Sequence, residues 1–138
     1  MGKIDYKNLQ FGQEKEFEIK ETLERIFGNL NHNINDNFSR FDFENNECVI
    51  EYKYRNCDHD TYDGFFMTKQ KVNHALKANK KVYWVFQYED GLFYIDFNQY
   101  KEDILSLEYK KLVLKNGFVR YNINIPIKFL SPLNNNDE

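Results

Sequence analysis

Residues 41–55 read FDFENNECVIEYKYR, and the central part of the fold can be predicted from this stretch. Two runs rich in apolar and aromatic side chains flank the polar pair Asn45-Asn46, a composition that favours a turn. The pattern predicts two strands, residues 38–44 and residues 47–55, that pair as a hairpin. Each strand carries charged side chains inside its apolar run, and those charges indicate a site.

The charges of this hairpin converge if the strands pair. Because side chains alternate along a strand, Glu51 and Lys53 point to one face, while Ile50 and Tyr52 point to the other. Asp42, nine residues before Glu51, can then lie across from them on the partner strand. Two carboxylates and one amine on a small patch can bind a hard divalent cation and place a lysine beside it.

The flanking segments read as helices separated by polar loops. Helical spacing of apolar residues predicts a helix over residues 13–27, and Gly28 supplies its stop. Polar loops are expected over residues 29–37 and 56–64, and a second helix over residues 67–78. The buried stripe predicted for this second helix consists of Val72, Ala75 and Leu76.

The C-terminal part is mostly β. Strands are expected over residues 81–88 and 92–97, then a short helix over 99–107. A last hairpin, residues 112–114 and 118–125, turns at Asn116-Gly117 and ends or becomes an edge at Pro126. The chain is therefore expected to be one α/β domain over residues 1–138, a mixed central β-sheet flanked by helices with a C-terminal β-rich extension.

Composition narrows the class of protein. Apolar residues make up 41% and charged residues 30%, which indicates a globular chain rather than a disordered one. No apolar run has the length of a membrane span and no signal peptide is recognisable, so a cytoplasmic, nucleoid or nuclear location with reduced cysteines is expected. A net charge of −3 argues against a non-specific nucleic-acid coat but leaves an enzyme acting on DNA or RNA open.

Asp42 followed by Glu51-Tyr52-Lys53 resembles the PD-(D/E)XK nuclease superfamily, which has the restriction-endonuclease-like fold. The predicted helices and hairpins are similar to that family's α-β-β-β-α-β core over roughly residues 12–97. Phe41 stands where the proline that names the family would be. No clear third core strand can be placed between the hairpin and the second helix.

The resemblance also implies a carboxylate on the first helix and a polar residue on the second. Glu16 matches the first, since it precedes Ile19 by three residues and Leu23 by seven and shares their inward side. The alternative is a surface glutamate near a helix N-terminus, where negative charge is favourable. Lys71 matches the second, with Gln70 as its competitor and an ordinary solvated lysine as the alternative.

The activity implied by the resemblance is divalent-metal-dependent hydrolysis of phosphodiester bonds, in DNA first of all. Asp42, Glu51 and the backbone carbonyl of Tyr52 would bind Mg²⁺, for which Mn²⁺ could substitute, and Glu16 would hold a ligand water or a second ion. Lys53 would orient the attacking water or stabilise charge on the phosphate, and Lys71 would assist. The residues expected to contact the nucleic acid are Arg55, Gln70, Lys110, Lys111, Arg120 and Lys128.

Other readings stay open. The chain could be a non-catalytic nucleic-acid-binding or protein-interaction module on the same fold, an RNA endonuclease, or a junction-resolving enzyme that works as a homodimer. The loop residues Asp58-His59-Asp60 suggest metal ligands but have no evident distant partner, and His32 and His74 have no evident catalytic partner. The many aromatic residues alternate as core residues do, although exposed rings can stack on bases.

Overall fold

The structure, a computed structural model, describes the backbone of residues 6–33 and 41–133 and the side chains of these ranges from residue 14 onward. Within these ranges the helices are α1 Tyr6–Phe27, α2 Lys69–Lys77 and α3 Phe97–Leu105, with a short 3-10 helix at Ile127–Phe129. The strands are β1 Asn31–His32, β2 Phe43–Glu44, β3 Cys48–Tyr54, β4 Gly64–Thr68, β5 Lys81–Tyr88, β6 Gly91–Asp96, β7 Lys110–Val113, β8 Val119–Pro126 and β9 Ser131–Pro132.

The main sheet is mixed and is ordered β1-β2-β3-β5-β6-β9. The hairpin predicted from residues 41–55 is confirmed, because β2 and β3 pair antiparallel with Phe43 opposite Ile50. β3 and β5 run parallel, with Glu51 opposite Trp84, and the connection between them passes through α2. Parallel central strands are covered on both faces, and residues 48–52 of β3 are all buried.

A second sheet has the order β4-β8-β7. The predicted C-terminal hairpin forms, and it adds to β4 rather than extending the main sheet, with Met67 opposite Ile123. Gly64 permits this pairing, since a Cβ there would lie 2.5 Å from Asn124 Oδ1 and 2.7 Å from Ile125 O. The buried face of α2, Val72 and Ala75, packs in the same core cluster as Met67 of β4 and Ile123 of β8.

The core lies on the two faces of the main sheet. On one face, Ile50 and Tyr52 of β3 pack with Ile19 and Leu23 of α1. On the other face, Val49 belongs to a cluster that contains α2 and the second sheet; its members include Val72, Trp84, Phe86, Ile123 and Ile125. The alternation predicted for β3 is confirmed, and it directs α1 and α2 to opposite faces.

Several element boundaries differ from prediction. α1 begins at Tyr6, before the expected residue 13, and β1 lies inside the predicted loop 29–37. β2 covers only Phe43–Glu44, and part of the strand predicted over 38–44 lies outside the described residues. Between the hairpin and the second helix, where no clear strand could be placed from the sequence, the structure has β4 Gly64–Thr68, which takes the last residue of the predicted loop 56–64 and the first two residues of the predicted helix 67–78.

The second and third helices begin where side chains cap them. α2 starts at Lys69 because the Thr68 side chain accepts a hydrogen bond from the Lys71 amide, and α3 starts at Phe97 because Asp96 caps it. Leu76, predicted to be buried, is 38% exposed, since only Val72 and Ala75 of α2 face the core. Among the described helices none is long and apolar enough to cross a membrane.

Candidate active site

Asp42 is held against β3 at the start of β2. Its amide donates to the carbonyl of Ile50 at 3.0 Å. Its carboxylate oxygen Oδ2 accepts a hydrogen bond from the Tyr52 amide at 2.8 Å. The side chain therefore takes the place of a backbone acceptor at the point where the ladder between β2 and β3 stops.

Glu16 reaches the same point from α1. Ile19 and Leu23 bury the helix against the sheet, which turns Glu16 toward the hairpin, and its carboxyl group hydrogen-bonds with that of Asp42. Two carboxyl groups in such contact disfavour double ionisation. Burial, and next the charge of Glu16, raise the pKa of Asp42 to about 6, and burial also raises the pKa of Glu16.

Glu51 is the most enclosed charged group of the site, with 2% of its surface exposed. Its Oε1 lies 2.6 Å from Lys71 Nζ and 3.5 Å from Lys53 Nζ. Its Oε2 is buried and has no hydrogen-bond partner among the described residues. Burial and then the charge of Asp42 raise the pKa of Glu51, against the opposing pull of the two lysines.

Lys71 contacts Glu51 because α2 begins directly after β4. The Thr68 cap starts the helix at Lys69, which puts Lys71 in the first turn. A cation there is disfavoured by the helix dipole, and the contact with Glu51 offsets this. Gln70, the competitor considered from sequence, is exposed instead. The structure thus brings together the five predicted residues Glu16, Asp42, Glu51, Lys53 and Lys71.

His32 lies beside this group, although no catalytic partner for it is evident from the sequence. It lies in β1 opposite Phe43, stacks on that ring at 4.6 Å between centroids, and has Nε2 3.5 Å from Glu16 Oε1. That contact lacks hydrogen-bond geometry, and burial lowers the pKa of His32, which favours a neutral ring. Its position depends on the pairing of β1 with β2, which no local pattern in the asparagine-rich segment indicates.

A groove of about 680 Å³ opens beside Glu51. None of the described residues that line it is acidic. We call it the basic groove, and its cationic side chains are Lys53, Lys69, Lys71, Lys77 and Arg120. Since Lys53 and Lys71 also contact Glu51, the groove leads directly to the carboxylate cluster, by which we mean Glu16, Asp42 and Glu51.

The other residues predicted to contact nucleic acid are dispersed. Gln70 and Arg120 line the basic groove. Arg55 follows the end of β3 and lines a separate, mostly apolar pocket of about 430 Å³, so its contact with nucleic acid stays a prediction. The remaining three are exposed and lie outside the groove lining; they are Lys110 and Lys111 on β7, and Lys128 beyond the far end of β8.

His59, in the loop between β3 and β4, has a hydrogen-bond partner that is distant in the sequence. Asp90, in the turn between β5 and β6, accepts hydrogen bonds from the His59 amide at 2.9 Å and from its ring Nδ1 at 2.5 Å. His59, Asp60 and Asp90 offer ligand atoms within 4.8 Å of one another. The His59 ring also stacks on Phe93. These contacts fix the loop to the main sheet, and we call the group the His59 latch.

No family model, no curated protein and no solved structure matches this chain. Function is therefore inferred from the carboxylate cluster and the groove beside it. Both are built from residues that lie far apart in the sequence, and their geometry is specific enough to test.

The raised pKa of Asp42 predicts how stability depends on pH in the presence of a chelator. Its pKa is about 6 in the fold against an ordinary 3.8, so between these pH values the folded chain binds more protons than the unfolded chain. The resulting stabilisation is complete below pH 3.8 and is lost as the pH rises through about 6. At about 1.4 kcal/mol per pKa unit, the shift of Asp42 makes the free energy of unfolding on the order of 3 kcal/mol larger at low pH than at high pH.

Urea unfolding of the wild type and of Asp42→Asn from pH 4 to pH 8 measures this term. The stability of the wild type relative to the variant should fall across the series, because only the wild type loses the proton. Parallel pH profiles for the two proteins would contradict the perturbed pKa.

Proposed function

We propose that this protein is a divalent-metal-dependent nuclease on a restriction-endonuclease-like core, hydrolysing phosphodiester bonds with DNA as its preferred substrate. The carboxylate cluster carries the proposal. Burial raises the pKa of all three of its members, which means that the fold holds them together at a cost. A bound cation removes that cost, whereas a non-catalytic module has no use for it.

The cluster fits a hard divalent cation. Its donors are all oxygens, as Mg²⁺ prefers, and the buried Oε2 of Glu51 has no protein partner in the described part of the chain. Asp42 and Glu51 would be the ligands, with the carbonyl of Tyr52, which lies on the same side of β3 as the amide that meets Asp42. Glu16 would hold a ligand water or a second ion. Mn²⁺ suits the same donor set.

When bound, Mg²⁺ would lower the pKa of a coordinated water and withdraw charge from a phosphate oxygen. Lys53, which lines the basic groove, would orient that water or stabilise the charge that develops on the phosphate. Lys71 holds Oε1 of Glu51 and leaves Oε2 for the ion. Its amine would also assist at the same phosphate.

The order of elements supports this proposal. α1, β1, β2, β3, α2 and β5 follow the α-β-β-β-α-β order that the resemblance implies, with β4 inserted before α2. Asp42 precedes the second of these strands, and Glu51-Tyr52-Lys53 lies on the third. β1 supplies the strand that the sequence did not reveal.

Incubation with plasmid, single-stranded DNA, branched DNA and RNA, first with Mg²⁺ or Mn²⁺ and then with chelator, tests the activity. We expect cleavage of DNA that stops with chelator and returns with excess Mg²⁺. Asp90→Asn is the matched control, because it removes a carboxylate from the His59 latch and should leave cleavage unchanged. Cleavage of RNA alone would favour an RNA endonuclease.

Two further outcomes separate the remaining alternatives. Cleavage confined to branched DNA by a protein with the molar mass of a dimer in solution would favour a junction-resolving enzyme. No divalent-dependent cleavage of any substrate would favour the non-catalytic module.

A further inference from the structure

The basic groove has a wall that phosphate binding does not explain. Val119 and Tyr121 of β8 line it and are 44% and 45% exposed. The amine of Lys69 lies over the rings of Tyr109 and Tyr121, at 5.4 and 5.8 Å from their centroids. An exposed ring, an aliphatic side chain and exposed cations thus meet at one place, next to the carboxylate cluster.

This combination suits unpaired bases. Positively charged grooves bind single strands through the backbone, and aromatic side chains stack on successive bases whatever their sequence. In a double helix the base faces are already stacked on one another and cannot meet Tyr121. A groove of about 680 Å³ is also in the size range of clefts that bind small ligands, so it has room for an unpaired base.

We propose that the basic groove binds single-stranded nucleic acid, with phosphates on Lys69, Lys77 and Arg120 and a base stacked on Tyr121. The strand runs toward Lys53 and the carboxylate cluster. As a statement about substrate class this rests on the proposed nuclease function, and it makes an unpaired strand, not a duplex, the preferred substrate. Lys69 leaves the Tyr121 ring when a base arrives and pairs with the adjacent phosphate.

Fluorescence anisotropy in chelator measures this binding without cleavage. The probes are a 20-nucleotide oligothymidylate and a blunt duplex of the same length, and we expect the single strand to bind at least tenfold more tightly. Tyr121→Ala should weaken single-strand binding by about 5- to 100-fold, and Tyr121→Phe should restore it. Arg120→Gln should reduce the salt dependence by about 0.7 in the slope of log K against log salt.

Tyr62→Ala is the matched control, since Tyr62 is an exposed tyrosine in the other pocket, and it should bind as the wild type does. Equal affinity for the duplex, or an unchanged affinity in Tyr121→Ala, would overturn the inference. Displacement of the oligonucleotide by polyglutamate at equal charge concentration would also overturn it, by pointing to an acidic protein as the ligand.

The binding and cleavage experiments can contradict the two proposals independently of each other. Metal-dependent cleavage together with equal affinity for both probes contradicts the single-strand inference and leaves the nuclease standing. Tight, Tyr121-dependent binding of the single strand without cleavage of any substrate contradicts the nuclease and supports the groove as a binding site.

Discussion

Asp42→Asn is expected to lower the rate of divalent-dependent cleavage by on the order of 10³-fold, because it removes a charged ligand at the proposed metal site. The same change is expected to raise the melting temperature above pH 7. Asn keeps an oxygen that can accept from the Tyr52 amide and adds a donor for Glu16, while the buried charge disappears. In chelator the rise should be about 5 °C or more.

Opposite changes in activity and stability distinguish a functional carboxylate from a structural one. Single-turnover cleavage and thermal unfolding at pH 7.5 measure the two effects on the same samples. Asp58→Asn is the control, since Asp58 is exposed in the loop, and it should alter neither value. Full activity in Asp42→Asn, or a joint loss of activity and stability, would contradict the assigned role.

Replacing Lys71 is expected to lower the stability of the fold, whereas replacing Lys53 is not. Lys71 Nζ lies 2.6 Å from a buried carboxylate, and Lys71→Met leaves Glu51 with only the more distant Lys53. Allowing for the partial exposure of the lysine, the free energy of unfolding should fall by about 1–3 kcal/mol. Lys53→Met should change stability little but lower the single-turnover rate about 10²- to 10³-fold.

A double variant tests the reason for this difference. Adding Glu51→Gln to Lys71→Met neutralises the charge that was left unpaired, so it should restore stability without restoring cleavage. Lys101→Met, an exposed lysine on α3, serves as the control for both measurements. Wild-type cleavage by Lys53→Met would remove Lys53 from the mechanism.

The sequence of residues 41–55 predicted more than the hairpin that these residues form. The alternation along β3 put Glu51 and Lys53 on one face and Ile50 and Tyr52 on the other, and the two core clusters confirm the division. Helical spacing likewise placed Glu16 on the side of α1 that faces the sheet. These inferences succeed because strand alternation and helical periodicity are local properties of the chain.

Errors arose where a short element depends on a distant partner. β1 has two residues and no apolar pattern, and it is a strand only because β2 lies beside it. Leu76 fits the apolar spacing of α2, yet the sheets reach only Val72 and Ala75.

The α/β class, the charged hairpin, and the faces on which Glu16, Glu51 and Lys53 lie could be predicted from the sequence, because spacing and turn chemistry specify these within a few residues. The packing of the whole chain, in contrast, selects Lys71 rather than Gln70 as the partner of Glu51, and it pairs β8 with β4 to form the wall of the basic groove. The pairing of β8 with β4 joins segments more than fifty residues apart. Such contacts depend on how all the apolar faces are buried together, and no single segment encodes that.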